Sequence, residues 1–469
     1  MSKTASLSKT RFNEMRRCRF IGTRAITRLL LPIGFLISVF GRAPDAMGQS
    51  AQVVRLTLKQ AVDLALTNNV TLLVAKTDID EAAATRARRL AMLLPHATGD
   101  AFINRQNRNL EAVGLSFPNV PAVIGPYTVM DFRISASQPV IDREAYHGWK
   151  ASANAEAGAT LTYQDVRDLV VREAAGLYLA SQSAAAEVEA ADARVATSRS
   201  LEQLARDQHD EELATGVDVL RAQVQLARDR QNALVARNTY QTSVLALGRF
   251  LGLDLGQPLE LAEPLTFEAV DPPSIEDVIR DALAARADYR ALVAQRDALD
   301  EQGQATRARA LPKFSVSGDY GALGNSLGSL PGIGQIQATV SIPLFDRDRL
   351  GAESEVLARR QRVAVQMTDL ARGIEQEVRK AMLDLDSAAE QVRVAEAAVE
   401  LATRELALAE DRFRHGVSDN IEVIAAQDAL ALTRDERIAA LTRHADARMA
   451  LARARGATEH TLSAMSHEP

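Results

Sequence analysis

From residue 378 onward, large apolar residues recur at every seventh position: Val378, Leu385, Val392, Val399, Leu406 and Phe413. Three places after each stands a small one, in turn Ala381, Ala388, Ala395, Ala402, Ala409 and Gly416. A strict seven-residue repeat winds helices around each other to the left, and alanine along the seam lets them approach closely. Earlier in the chain Ala184, Ala191, Ser198 and Ala205, with Val188 and Val195, make a weaker version of the same pattern. No proline interrupts 140–257 or 344–468, and both runs are filled with strong helix formers. A helix over 147–211 would be roughly 100 Å long at the usual rise per residue.

Other stretches alternate instead. "FSVSGDYGAL" (314–323), "IQATVSIPLF" (336–345) and "TVMDFRISASQPV" (128–140) place an apolar or small residue at every second position, the signature of a strand with two different faces. Between them "FPNVPAVIGP" (117–126) and "GNSLGSLPGIG" (324–334) are rich in glycine, proline, asparagine and serine, and read as loops. Two shorter amphipathic helices are predicted at 57–92 and 274–309, opened by Thr57 and Ser274 as N-caps.

Every one of these parts occurs twice. "LTLKQAVDLAL" (56–66) returns as "PSIEDVIRDAL" (273–283), 217 residues on, and the same offset carries Pro95 onto Pro312. "SQPVIDREA" (137–145) returns as "SIPLFDRDR" (341–349) at an offset of 204, aligning Pro139 with Pro343. That offset then holds to Gly252 and Gly456, so one thirteen-residue difference between the hairpins accounts for the change (217 − 204). The chain divides into a leader (1–48), a first repeat (49–252), a linker (253–272), a second repeat (273–456) and a polar tail (457–469).

Composition narrows the class. Of 469 residues 47% are hydrophobic but only 4% aromatic, which suits closely packed long helices better than a thick mixed core. The net charge of −6 and the lack of a basic stripe with interleaved aromatics argue against nucleic acid. The leader has basic residues up to Arg28, an apolar stretch "LLLPIGFLISVF" (29–40), then Ala46 and Gly48 before a cleavage expected at Gln49. It reads as an export signal, with an uncleaved anchor as the alternative. The one cysteine, Cys18, lies in this leader and not where a lipid anchor would be attached, and it leaves the remainder without a disulfide or thiolate metal site. The seven histidines show no ligand spacing, and neither a phosphate loop nor a nucleophile elbow is present, so no catalysis, cofactor or metal is expected.

Four strands cannot close a membrane barrel, which takes about eight at least. Strands in a bilayer would therefore have to be pooled from several chains; a soluble sheet capping a coiled coil is the alternative. Phe102, Tyr127, Phe132, Phe314 and Tyr320 would supply a thin aromatic girdle. At the far ends of the long helices, "ELATGVDVLRAQ" (212–223) echoes "GVSDNIEVIAAQ" (416–427). Gly416 is the natural helix breaker there, with Ser418, Asp419 and Asn420 as turn or capping residues, while Glu212 stands where the other copy has that glycine. Asp218 and Glu422 fall in the first turn of the returning helices, where a carboxylate is favoured by the helix dipole.

The doubled unit, the proline-led hairpins and the paired helix turns together resemble the TolC family of outer membrane efflux proteins, over 55–456. The resemblance implies a mainly α chain with membrane β, assembled as a homotrimer with a 12-stranded β-barrel and an α-helical tunnel through the periplasm. It implies an exit duct for efflux or type I secretion, with outer membrane lipid, a periplasmic membrane-fusion adaptor and an inner-membrane pump of the RND or ABC type as partners. By the same resemblance Asp218 matches a gate carboxylate, Phe413 replaces a gate tyrosine and Ser418 replaces a gate arginine. Glu422 matches the first of two acidic rings, with Ala425 at the second. Gly416, Val219, Leu220, Val423 and Ile424 lie where adaptor hairpins dock, and Pro95, Pro139, Pro312 and Pro343 mark entry to the barrel. The competing reading is a non-channel periplasmic coiled-coil structural or adaptor protein.

Overall fold

The computed structural model describes residues 54–270 and 273–459. The expected leader, its cleavage point and most of the polar tail lie outside them. The elements run β1 (Val54–Leu56), α1 (Leu58–Asn68), α2 (Val70–Ala91), β2 (His96–Asn109), β3 (Val123–Ile141), α3 (Arg143–Asp210) and α4 (Gly216–Phe250). Then come β4 (Leu259–Leu261), α5 (Ile275–Ala285), α6 (Ala287–Ala308), β5 (Lys313–Gly324), β6 (Gly332–Ser341), α7 (Asp348–Arg414) and α8 (Asn420–Ala454). Two short helices, a hairpin and a long helix with its returning partner therefore appear in the same order twice.

The expected caps are in place: Thr57 Oγ1 accepts from the Gln60 N–H at 3.2 Å, and Ser274 Oγ from the Asp277 N–H at 3.3 Å. The single leading helix expected in each copy is in fact two, broken at Asn69 and Arg286. Both residues leave helical geometry, with ψ of 125° and 126°. The reason is what lies against them. Asn68 and Asn69 donate to the last carbonyls of the α4 end, Leu251 and Phe250, each at 3.3 Å. Gly252, at φ +68°, ends that helix so closely that a Cβ there would sit 2.9 Å from the Asn68 side chain. Gly456, at φ +69°, would meet the Arg286 side chain in the same way at 3.1 Å. Each returning helix thus abuts the start of a short helix, and a continuous leading helix would collide with it.

α3 is 68 residues long and α7 is 67, roughly 100 Å each. Both seam rows of α7 are inside: Val378, Leu385, Val392, Leu406 and Phe413 are buried, and so are Ala381, Ala388, Ala395, Ala402 and Ala409. The same places in α3, 204 residues earlier, hold Ala174, Ser181, Val188, Val195, Glu202 and His209. The weaker periodicity of the first copy is a polar seam.

The four long strands form one antiparallel sheet in the order β2-β3-β5-β6, so the two hairpins join through β3 and β5. Pro95 and Pro312 immediately precede β2 and β5, and Pro343 follows β6. Pro139 lies inside β3, two residues before its end. It sits where the register slips between Pro139 and Ile141, a position that tolerates a missing N–H. A second, parallel pair, β1 with β4, ties the start of the first copy to the linker.

Candidate functional site: a two-faced sheet and a paired helical tip

Residues opposite one another in an antiparallel sheet share a face, so the register sorts the side chains. Asp100 faces Arg133, Ser135 faces Asp319, and Ser317 faces Gln337, all on one side. On that side Arg133 donates to Asp131 at 2.6 Å and to Asp319 at 3.1 Å. The other side carries Ile103 opposite Met130, Ile134 opposite Tyr320, and Val316 opposite Ala338. Ile336 on this apolar side is 88% exposed, and Ile103, Ile134, Tyr320 and Val340 are also open. The expected aromatic girdle is divided. Phe132, Phe314 and Tyr320 lie on the apolar face, but Phe102 and Tyr127 share the polar one. Both outer strands, β2 and β6, have one unpaired edge among the described residues.

At the opposite end the two helix turns pack together around Phe413, with Leu201, Ala205, Ala222, Leu406 and Val423. Asp218 is buried and turned back on its own helix. Its carboxylate accepts from the Thr215 N–H at 3.0 Å and the Thr215 hydroxyl at 2.6 Å. Glu422 is half-exposed and pairs with Arg412 of α7 at 3.0 Å. Asp419 caps α8 by accepting from the Ile421 N–H at 3.2 Å, while Ser418 Oγ is buried without a partner. Of the residues placed at an adaptor surface, Gly416 and Leu220 are open and Val219 and Ile424 are half-buried. Val423 is wholly inside the tip core. It packs the turns and offers no surface.

Two amides join the turns: Gln208, which was not singled out from the sequence, and Asn420, which was expected there only as a turn or capping residue. Gln208 Nε2 donates to the Phe413 carbonyl at 2.9 Å, and the fully buried Asn420 donates from Nδ2 to the Asp218 carbonyl at 2.6 Å. Each amide comes from one copy and ends on a backbone carbonyl of the other. Gln208 gave no signal in the sequence: it lies off both seam rows, and its partner is a carbonyl, which no side-chain pattern reveals. No group of residues that could hold a metal, and no helix long and apolar enough to cross a membrane, occurs among the described residues. The second statement concerns helices alone.

A family model described as outer membrane efflux protein matches the chain twice, at residues 61–253 and 278–457. The chain belongs to the outer membrane efflux protein family. Its fold is that of the solved CmeC outer membrane channel of Campylobacter jejuni, at 17% identity and a TM-score of 0.76 over 86% of each chain. The outer membrane protein VceC of Vibrio cholerae is similar at 17% identity and 0.73, over 85% of this chain and 96% of that one. A membrane protein from Pseudomonas aeruginosa matches at 20% and 0.75, over 87% and 91%. No curated protein matches the sequence.

Proposed function

We propose that three copies of this chain pool their sheets into one 12-stranded barrel in the outer membrane, continued by a helical tunnel through the periplasm. The assembly is the exit duct of a tripartite efflux or type I secretion system, fed by an inner-membrane pump through a periplasmic adaptor. The observation that carries the reading is the sheet with one apolar face and two free edges. In hydrocarbon each unpaired backbone group costs several kcal/mol, so an apolar-faced sheet with open edges is stable there only when its edges are taken up by other copies. A soluble cap over a coiled coil would instead leave Ile336, Ile134 and Tyr320 in water. At the tip, the exposed Leu213, Val217, Leu220 and Val417 offer apolar contacts to an adaptor hairpin.

The closed tip is held within each chain by the Gln208 and Asn420 amides, which join its two repeats, since Ser418 cannot supply the family's charged link and Asp218 is occupied as a cap. Glu422 enters a constriction already paired with Arg412. Purified protein in planar bilayers should conduct. Arg412→Ala, which frees Glu422, should shift selectivity towards cations, and Glu422→Ala should shift it towards anions. Folded protein that never conducts would overturn the duct. Selectivity indifferent to both substitutions would place the pair away from the constriction.

A further inference from the structure

The segment 262–270 crosses from the first copy to the second. At its start Gln182 Nε2 of α3 donates to the Glu263 carbonyl at 2.8 Å. Farther on, Leu265 and Phe267 pack against Val392, Ala395, Ala440 and Leu441 of α7 and α8. From Pro264 to Val270 there is no backbone–backbone hydrogen bond among the described residues. This strap is therefore held down by side chains, chiefly the two apolar ones and an ion pair from Glu268 to Arg448 at 2.6 Å.

Beneath it lies His444, 1% exposed, its ring centre 4.7 Å from that of Phe267. Its Nε2 is buried and has no hydrogen-bond partner. Burial, together with the charge of Arg448, holds its pKa below the ordinary histidine value, and Glu268 opposes them. These two are the charged groups that face it, one on its own helix and one on the strap; α7 contributes the apolar Val392 and Ala395 to the same cluster. A proton on this ring would create a buried cation beside a guanidinium, with its nearest carboxylate already engaged. Either the charge stays unpaired or Glu268 leaves Arg448, and both outcomes loosen the strap. The matching position in the first copy, 204 residues earlier, is Tyr240, which does not charge near neutrality.

We infer that His444 is an acid-sensitive catch: the strap is docked on α7 and α8 while the imidazole is neutral and is released when it gains a proton. The docked state binds fewer protons than the released one. Docking is therefore complete above the ordinary histidine pKa of about 6.5 and is lost as pH falls through the lower, docked-state value. Because the strap joins α3 to the α7/α8 pair, its release loosens one copy from the other. A consequence for the tunnel rests on the duct reading; the release itself does not.

The test is limited thermolysin cleavage within segment 262–270 in the full-length, detergent-purified protein, with the rate at each pH normalised to that of a free peptide of the same sequence. Protection should fall at least about tenfold between about pH 7.5 and about pH 5, and His444→Phe should abolish that dependence. Unchanged protection in the wild type, or the same loss in His444→Phe, would overturn the catch. Should that variant fail to fold, exchange at the imidazole C2–H of wild-type His444 decides the matter. A midpoint below the ordinary value sustains the catch, and one at or above it refutes the catch. Acid release in a protein that conducts at no pH would leave the catch standing and remove the duct.

Discussion

The two copies share an order of elements but not a chemistry. The second is built as a tight apolar coil with an ionic anchor at its upper end. Val378, Leu385, Val392 and Leu406 fill its seam, and Arg286, where the returning helix meets α6, pairs with Asp288 at 2.6 Å and with Glu377. The first copy places Ala174, Ser181, Val188 and Glu202 at the same seam positions and Asn69 at the same junction. Glu202 is buried there, with Arg206 at 2.5 Å. Where α3 meets α4 and α8, Gln225 donates to Asp428 at 3.1 Å, and Ser198 donates to the buried Asp229. Duplication preserved the geometry, which depends on where helices break and strands turn, and left the seams free to diverge. The apolar copy can act as one stiff pair. The polar one meets its neighbour through hydrogen bonds that can be exchanged with less loss.

The junctions offer the sharpest way to break this contrast. Arg286 is 3% exposed, and burial would depress its pKa, but hydrogen bonds and charge from Asp288 and Glu377 more than offset that. Arg286→Ala would leave the half-buried Asp288 and the Glu377 carboxylate without it, and should cost about 3–5 kcal/mol. Asn69→Ala, losing a neutral cap, should cost about 0.5–2 kcal/mol. Denaturant unfolding of the two variants checks the order, and equal losses would dissolve the distinction.

The seams come next. Leu385→Ala should cost about 2–5 kcal/mol. Ser181→Ala, at the matching place, loses only a bond from its hydroxyl to the Leu177 carbonyl and should stay within about 1 kcal/mol. The smallest effect is expected at the turns. Glu212 has φ of 62° and Gly416 φ of 66°, so the same left-handed residue is a glutamate in one copy and a glycine in the other. Glu212→Gly should stabilise by up to about 1 kcal/mol, and Gly416→Ala should destabilise by a similar amount. Two changes of the same sign in thermal unfolding would show that the turns are not equivalent.

Much of this was legible in the residues. The heptad rows of α7, the alternation in the hairpins and the offset from Gly252 to Gly456 are periodic, and periodicity needs no partner to be seen. The breaks at Asn69 and Arg286 were not legible, because each is caused by a helix end arriving from far along the chain. The same holds at the tip. Asp218 could be read as a cap from its place in the first turn, whereas the Gln208 and Asn420 bonds end on backbone carbonyls of the other copy. Val423 could be a docking or a packing residue from the sequence, because the turn it packs with lies 204 residues away, at Val219. The division of the aromatics between the faces followed only once the strand register was known.

The central claim is that several copies share one barrel and one tunnel. Electron microscopy of the full-length protein in detergent tests it most directly. A hollow particle with three-fold symmetry, a short barrel and a tube of roughly 100 Å below it is expected. A solid rod, or a particle without that symmetry, would contradict it.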